Sequence, residues 1–170
     1  MSKTHKKSVL IIDDEPNNIV ALTDILETDY LVYAVIDSIE AIETVAETSP
    51  DVILLDVIMP DMDGYEVISE LKSSEKTRDI PVIFITGLDS IDAEEKGLAL
   101  GAADYILKPF HPAIIKIRVQ NQMQLLDRIR QQEVMISVTK SISSFVSTMF
   151  SVFLEREMSR HADKQVISNE

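Results

Sequence analysis

The chain has 170 residues and a hydrophobic fraction of 45%, which suits one globular domain or one domain with an appendage. It contains no cysteine, and this excludes disulfides, thiolate nucleophiles and cysteine-based metal sites. The net charge is −13 and no basic stripe is present, so we expect no direct binding of nucleic acid.

The first predicted elements follow a polar, basic segment, residues 1–8, which has no apolar core. Because that segment does not match a secretory signal, we expect a cytoplasmic protein. Residues 8–12 form a short apolar run that ends in acid at Asp13, Asp14 and Glu15, and the run predicts a strand. Pro16 suits the first turn of a helix. Its apolar stripe would be Ile19, Leu22, Ile25 and Leu26.

Residues 30–36 are β-branched and aromatic, which predicts a second strand. Ser38 is the expected N-cap of the next helix. That helix would be lined by Ile39, Ile42, Val45 and Ala46. A continuous apolar run, residues 52–55, then ends abruptly at Asp56, which is typical of a parallel strand buried on both faces.

The second half of the pattern repeats the first. A helix follows Gly64, with Val67, Ile68 and Leu71 facing inward. Residues 80–85 predict a fourth strand that ends at Thr86. Asp89 or Ser90 would cap a helix that ends at Gly101, with Ile91, Leu98 and Leu100 as its apolar residues. Residues 103–107 predict a fifth strand that ends at Lys108.

Strands and helices therefore alternate five times, which indicates a parallel sheet with helices on both faces. The predicted fold is α/β: a flavodoxin-like, doubly wound sheet of five strands in the order 2-1-3-4-5. A long C-terminal helical extension follows it. We assign residues 7–122 to the domain, 123–160 to the extension and 161–170 to a polar, frayed tail.

The extension has no glycine or proline after residue 112, so it predicts one long helix or two helices joined by a polar turn. Ile114, Ile117 and Val119 should pack on the sheet. Further along, an apolar seam repeats in steps of three and four residues, as in a coiled coil. Its members are Met135, Val138, Ile142, Phe145, Met149 and Val152.

Three interpretations of the seam stay open: a dimer contact, a segment that folds back on its own domain, and a membrane span. We favour the homodimer. Membrane insertion is not expected, because Lys140 and many hydroxyl groups lie within the segment.

Polar side chains stand at the carboxyl ends of four predicted strands, where ligands bind in open α/β sheets. They are Asp13, Asp14, Asp56, Thr86 and Lys108. Three crowded carboxylates repel each other unless a cation lies among them, and hard oxygen ligands suit Mg²⁺. Together with a lysine and a hydroxyl group, this arrangement suits the transfer of a phosphoryl group to a carboxylate.

Several separated motifs carry a resemblance to a known family. They are Ile-Ile-Asp-Asp-Glu, Leu-Leu-Asp-Val-Ile-Met-Pro-Asp-Met-Asp-Gly, Phe-Ile-Thr-Gly, Gly-Ala-Ala-Asp-Tyr and Lys-Pro-Phe. In this order the chain resembles the receiver domain of two-component response regulators (CheY-like) over residues 7–122. The resemblance implies a signalling module rather than an enzyme, with only self-catalysed phosphoryl acceptance and autodephosphorylation.

The resemblance also implies roles for single residues. Asp56 would accept phosphate from a sensor histidine kinase or a histidine phosphotransfer protein. Asp14, Asp13, Asp56 and the backbone carbonyl of Ile58 would bind Mg²⁺. Lys108 would contact the phosphoryl group. In this family the Lys108–Pro109 bond is usually cis, which would aim the lysine at the site. Thr86 and Tyr105 would form the switch that responds to it. Asp61, Asp63 and Gly64 are interpreted as turn and capping residues.

Alternative functions stay open at this point. No output domain is evident after the fifth helix, so the chain is a stand-alone receiver, a phosphorelay intermediate or a fragment that controls a missing output domain. A metal-dependent phosphatase would need an acid two residues after the nucleophile, where Ile58 stands. Because Ile58 and Leu88 are aliphatic, neither can orient an attacking water, and we expect slow loss of the phosphoryl group.

Overall fold

The structure is a computed structural model that describes residues 6–167, with side chains described for residues 6–156. Five strands alternate with five helices. The strands are β1 (Ser8–Ile12), β2 (Leu31–Val35), β3 (Val52–Leu55), β4 (Val82–Thr86) and β5 (Asp104–Leu107). The helices are α1 (Pro16–Leu26), α2 (Ser38–Thr48), α3 (Gly64–Ser73), α4 (Ile91–Ala99) and α5 (Pro112–Ile167).

The five strands form one parallel sheet in the order β2-β1-β3-β4-β5, as predicted. The central strand β3 is buried along its whole length, and so is its neighbour β4. This agrees with the continuous apolar runs, which are typical of strands covered on both faces. The carboxyl ends of all five strands therefore lie along one edge of the sheet.

The helices begin where local capping chemistry favours them, and one predicted N-cap was wrong. Pro16 occupies the first turn of α1, as expected. The N-cap of α2 is Asp37, not Ser38: the Asp37 carboxylate accepts hydrogen bonds from the amides of Ile39 and Glu40. Ser38 is the first helical residue, and its hydroxyl donates to the carbonyl of Pro60. An aspartate at this position satisfies amides that the first turn leaves unpaired.

The predicted inward faces are confirmed for α3, but those of three other helices are rotated. In α2 the buried residues are Ser38, Ala41 and Val45, whereas Ile39 and Ala46 are exposed. In α4 only Gly97 is buried, while Ile91 is 81% exposed and Leu98 is also exposed. In α5 the buried residues are Val119, as expected, and Ile115 and Met123, whereas Ile114 and Ile117 are exposed.

The helix α5 is a single helix to Ile167, which decides between one helix and two. Its backbone stays helical through residues 161–167, where a frayed tail was expected, and residues 168–170 lie outside the described part of the chain. The chain divides into two compact units at the junction of Leu125 and Leu126. Between residues 6 and 156, one helix, Pro112–Arg156, is long and apolar enough to cross a membrane by length and composition alone.

Candidate functional site

The predicted site residues meet at the carboxyl edge of the sheet. Asp13 follows β1, Asp56 follows β3 and Lys108 follows β5. The ammonium Nζ of Lys108 lies 2.6 Å from Oδ2 of Asp56 and 3.0 Å from Oδ2 of Asp13. Both carboxylates are buried, so the lysine forms ion pairs that are shielded from water. Such charge-assisted hydrogen bonds are short and strong.

Asp14 completes a cluster of three carboxylates. One oxygen from each of Asp13, Asp14 and Asp56 lies within 4.8 Å of the others. Asp14 is less buried than Asp13 and Asp56, so the cluster opens to solvent on its side. Three negative charges at this spacing attract a second cation besides Lys108.

The backbone holds Lys108 against its neighbours. Its amide donates to the carbonyl of Thr86 at 2.8 Å, which extends the pairing of β5 with β4. The peptide bond between Lys108 and Pro109 is cis, as the family resemblance predicted. The lysine side chain is thus anchored at a strand end two strands away from Asp56.

Burial and charge shift the pKa values of this pair. Burial raises the pKa of the Asp56 carboxyl, and Asp13 adds to the rise, while Lys108 opposes it without cancelling it. Burial would lower the pKa of Lys108, but its hydrogen bonds to Asp56 and Asp13 outweigh burial and leave that pKa raised. The lysine therefore stays charged, and the ionised Asp56 carboxylate is costly to keep buried.

One residue of the site was missed in the sequence. The side-chain amide of Asn18, in the first turn of α1, donates to both carboxylate oxygens of Asp13 at 3.0 Å and to Glu15 at 3.3 Å. The amide of Glu15 donates to Asp13 as well, at 2.9 Å. Asp13 is therefore held in a fixed orientation. The signal in the sequence that could have identified Asn18 was its position five residues after Asp13.

The side chains of Thr86 and Tyr105 form no hydrogen bond with the three carboxylates. Thr86 is fully buried, and its hydroxyl accepts the amide of Leu88 at 3.3 Å. The Tyr105 hydroxyl donates to the carbonyl of Leu88 at 2.8 Å. Burial, with smaller contributions from nearby charges, raises the pKa of Tyr105 to about 12, so it remains a donor at neutral pH. Both side chains thus meet the loop after β4.

An aromatic row connects that loop to α3 and α4. The ring of Phe84 contacts Tyr105 edge-on at 6.2 Å and Tyr65 at 5.5 Å, measured between centroids. The Tyr65 hydroxyl donates to the carbonyl of Ala93 in α4. The ammonium of Lys96 lies 4.0 Å from the Tyr65 ring centroid, a cation–π distance. The Tyr65 hydroxyl therefore ties the start of α4 to α3, and the Tyr105 hydroxyl ties the loop before α4 to the sheet.

The loop after Asp56 is built by turn and capping residues, as predicted. Asp61 has a φ of 66°. Asp63 and Glu66 form a reciprocal capping box at the start of α3. The Ile58 amide donates to Oδ1 of Asp56 at 3.2 Å, while its side chain is 57% exposed. An exposed aliphatic side chain thus stands two residues after Asp56 in this loop.

The family comparison decides what kind of domain this is. The family model of the response regulator receiver domain matches residues 9–120, which is more than half of the chain. The chain belongs to the response regulator receiver family. Known relatives and solved structures are similar to the receiver as well.

Two relatives of the receiver are much longer than the stretch that matches it. A probable cyclic di-GMP phosphodiesterase of Vibrio cholerae is 40% identical over 117 residues, which is 69% of this chain and 26% of the relative. The response regulator PleD of Caulobacter vibrioides is 37% identical over 129 residues, 74% of this chain and 28% of PleD. The chain thus spans about a quarter of the length of these two relatives.

Solved structures agree with the fold. The chemotaxis protein CheY4 of Vibrio cholerae superposes with a TM-score of 0.66 at 27% identity, and the match covers 69% of this chain and 98% of CheY4. The similarity therefore covers nearly the whole of that protein and, in this chain, is confined to about two thirds of the length.

The acidic cluster fits the Mg²⁺ that receiver domains bind through acidic residues. All three donors are hard carboxylate oxygens within 4.8 Å of one another, and Asp14 opens to solvent where a hydrated ion could approach. Lys108 neutralises only part of the negative charge of the cluster. The donor set therefore has both the chemistry and the residual charge that a divalent cation requires.

Proposed function

We propose that this receiver accepts a phosphoryl group on Asp56 from the phosphohistidine of a sensor histidine kinase or a histidine phosphotransfer protein. The observation that carries the proposal is the geometry around Asp56: a buried carboxylate in contact with Lys108 at 2.6 Å, beside two further aspartates. The opening beside Asp14 is where a donor would approach. Family membership supports the same activity.

The transfer is a substitution at phosphorus. A carboxylate oxygen of Asp56 forms the new bond to phosphorus as the bond from phosphorus to the donor imidazole nitrogen breaks. The electron pair of the broken bond stays on that nitrogen, and the donor ring keeps or regains a proton from water. Lys108, already paired with Asp56, would follow the negative charge to a phosphoryl oxygen.

Mg²⁺ would be held by Asp13, Asp14, Asp56 and the backbone carbonyl of Ile58. When bound, the ion neutralises charge between the carboxylates and the incoming phosphoryl oxygens. Asp13 would act mainly as an oriented acceptor, because Asn18, Glu15 and Lys108 already donate to it. Asp14 is freer to bind the ion directly, since it is partly exposed.

Thr86 and Tyr105 would report the modification. Both engage Leu88 in the loop after β4, so a shift of the Thr86 hydroxyl towards a phosphoryl group would break its contact with the Leu88 amide. The Tyr105 hydroxyl holds the same loop, which couples the two side chains. Phosphorylation would thus bias one of two arrangements of the loop and of α4.

The extension supports self-association. Residues 126–156 include many exposed apolar side chains, and their seam has coiled-coil spacing. We propose that the receiver forms a homodimer through residues 123–160, works in the cytoplasm without direct contact to nucleic acid, and changes conformation or assembly when it is phosphorylated.

Acetyl phosphate tests the proposed acceptance directly. Incubated with Mg²⁺, the protein should gain the mass of one phosphoryl group, and the product should be cleaved by hydroxylamine, as an acyl phosphate is. Chelation of Mg²⁺ with EDTA should prevent the gain. Labelling that persists in EDTA or resists hydroxylamine would contradict the proposal. Onward transfer to a histidine phosphotransfer protein would identify a phosphorelay intermediate.

The lifetime of the phosphoryl group depends on the side chain at position 58. The Ile58 side chain is exposed two residues after Asp56 and cannot hydrogen-bond a water molecule. An Ile58→Asn variant should lose the phosphoryl group faster, on the order of tenfold, or about 1.4 kcal/mol in the barrier. The measurement is the decay of the labelled species after donor removal. Ile58→Leu is the matched control, and equal decay in the Asn variant and the parent would count against this role.

A further inference from the structure

The extension carries two apolar seams rather than one. Seam A consists of Met135, Val138, Ile142, Phe145, Met149 and Val152. Seam B consists of Ile136, Val146, Phe150 and Phe153. Every member of both seams is an exposed hydrophobic side chain in the unit that begins at Leu126.

The two seams face different directions. Each member of seam B follows a member of seam A by one residue, and successive residues of an α-helix are about 100° apart. Averaged over their members, the two seams are about 95° apart around the helix axis. A two-stranded coiled coil covers one such seam and would leave the other, including Phe150 and Phe153, in water.

A hydroxyl face lies opposite the two seams. It consists of Ser137, Ser141, Ser144, Thr148 and Ser151. Three of these hydroxyls donate to the carbonyl four residues earlier, at 3.0 to 3.1 Å. The face is centred about 160° from the direction midway between the seams. A helix covered on both seams would therefore turn this face outward to solvent.

The area available is sufficient for a specific contact. Each seam A side chain can remove about 100 Å² from water, so one pair of helices would bury about 1,200 Å² through seam A alone. This is the lower limit of specific interfaces, and it leaves seam B still exposed. Serine, threonine and valine are also weak helix formers, so the helix needs the stability that further packing gives.

We propose that residues 126–156 of four copies of this chain form a closed four-helix bundle. The inference rests on the self-association proposed above and extends it from two copies to four. If each seam pairs with the same seam of another copy, contacts alternate around the ring and the number of helices is even. In a ring of four, each helix meets its two neighbours at about 90°, close to the angle between the seams.

Charge favours copies of the chain over a lipid surface. Lys140 is the only charged residue in the segment 134–154. Helices that lie on membranes usually carry many lysines and arginines on the polar face, which attract anionic lipids. A face of hydroxyl groups lacks that attraction, whereas it is well suited to the outer surface of a bundle.

Sedimentation equilibrium and light scattering on the full chain test the proposal. The parent should have four times the 19.1 kDa mass of one chain. The double variant Phe150→Ser, Phe153→Ser breaks seam B and should give dimers. Adding Ile142→Ser and Phe145→Ser breaks seam A as well and should give monomers. Ser144→Ala on the hydroxyl face is the control and should remain tetrameric.

The outcomes separate this inference from the proposed function. A parent dimer that the seam B variant leaves unchanged would overturn the tetramer but keep the self-association. A parent monomer would overturn both, and so would a monomer that binds phosphatidylcholine vesicles through the same residues. Labelling by acetyl phosphate in every variant shows that the receiver has folded, so a changed mass reports the helix alone.

Discussion

An Asp56→Asn variant should take up no phosphoryl group from acetyl phosphate, and its folded state should be more stable than that of the parent at neutral pH. The loss of labelling follows because the amide is not a nucleophile. The gain in stability follows because the ionised Asp56 carboxylate is buried at 4% exposure beside Asp13. Intact-mass analysis and urea unfolding in EDTA measure the two effects.

The gain in stability of Asp56→Asn should depend on pH. Burial raises the pKa of Asp56 above its ordinary value of 3.8, so the folded chain holds the proton more tightly than the unfolded chain. Stability is therefore lost as pH rises from that value through the folded-state pKa. Asn does not ionise, so the free energies of unfolding of variant and parent should converge below about pH 4.

Asp61→Asn is the matched control for Asp56→Asn. Asp61 lies five residues further along the same loop, is exposed and has a φ of 66°, a conformation that asparagine tolerates well. This control should be labelled as fully as the parent. Labelling of Asp56→Asn at the level of the control would refute Asp56 as the acceptor, and a lower stability of Asp56→Asn at neutral pH would refute the cost assigned to its charge.

Gly64→Ala should unfold the protein more easily by about 3 kcal/mol and reduce phosphoryl uptake at the same time. A Cβ atom at this position would overlap the backbone carbonyl oxygen of Asp56 and lie 2.8 Å from the Cα atom of Val57. Backbone atoms cannot move aside as a side chain can. The loop must shift, and Asp56 would lose its alignment with Lys108.

The chain offers graded controls for Gly64. A Cβ at Gly97 would lie 3.0 Å from the ring of Phe84 and 3.7 Å from the ring of Tyr105, both of them side chains, so Gly97→Ala should cost about 1 kcal/mol. A Cβ at Gly87 meets nothing within 4 Å, so Gly87→Ala should be within about 0.5 kcal/mol of the parent. Thermal or urea unfolding ranks the three. Equal stabilities for the Gly64 and Gly87 variants would contradict the steric argument.

The convergence of Asp13, Asp56 and Lys108 could be predicted because it depends on topology alone. Each residue follows a short apolar run, and the carboxyl ends of parallel strands share one edge of the sheet. Asp13 and Lys108 are 95 residues apart in the sequence, yet the parallel topology alone was enough to predict that they lie close together. The strand order followed from the alternation of strands and helices.

The rotation of the helices could not be predicted in the same way. Apolar residues such as Ile39 and Ile91 were assigned to the core, yet both are exposed, while the small residues Ala41 and Gly97 of the same helices are buried. Small side chains let a helix approach closely, and the sequence pattern weighs a large apolar residue more than a small one. Asn18 was missed for a related reason: its contact with Asp13 depends on side-chain direction, which hydrophobic spacing does not report.

The sparse anchoring of α4 has a consequence for local unfolding. Its one buried residue is Gly97, which has no side chain, so hydrophobic packing contributes little to holding this helix. Segments with few buried apolar contacts open at low free-energy cost, and their amide hydrogens exchange early. Amides in α4 should therefore exchange with deuterium well before those of α3, and a binding partner could remodel α4 without opening the rest of the receiver.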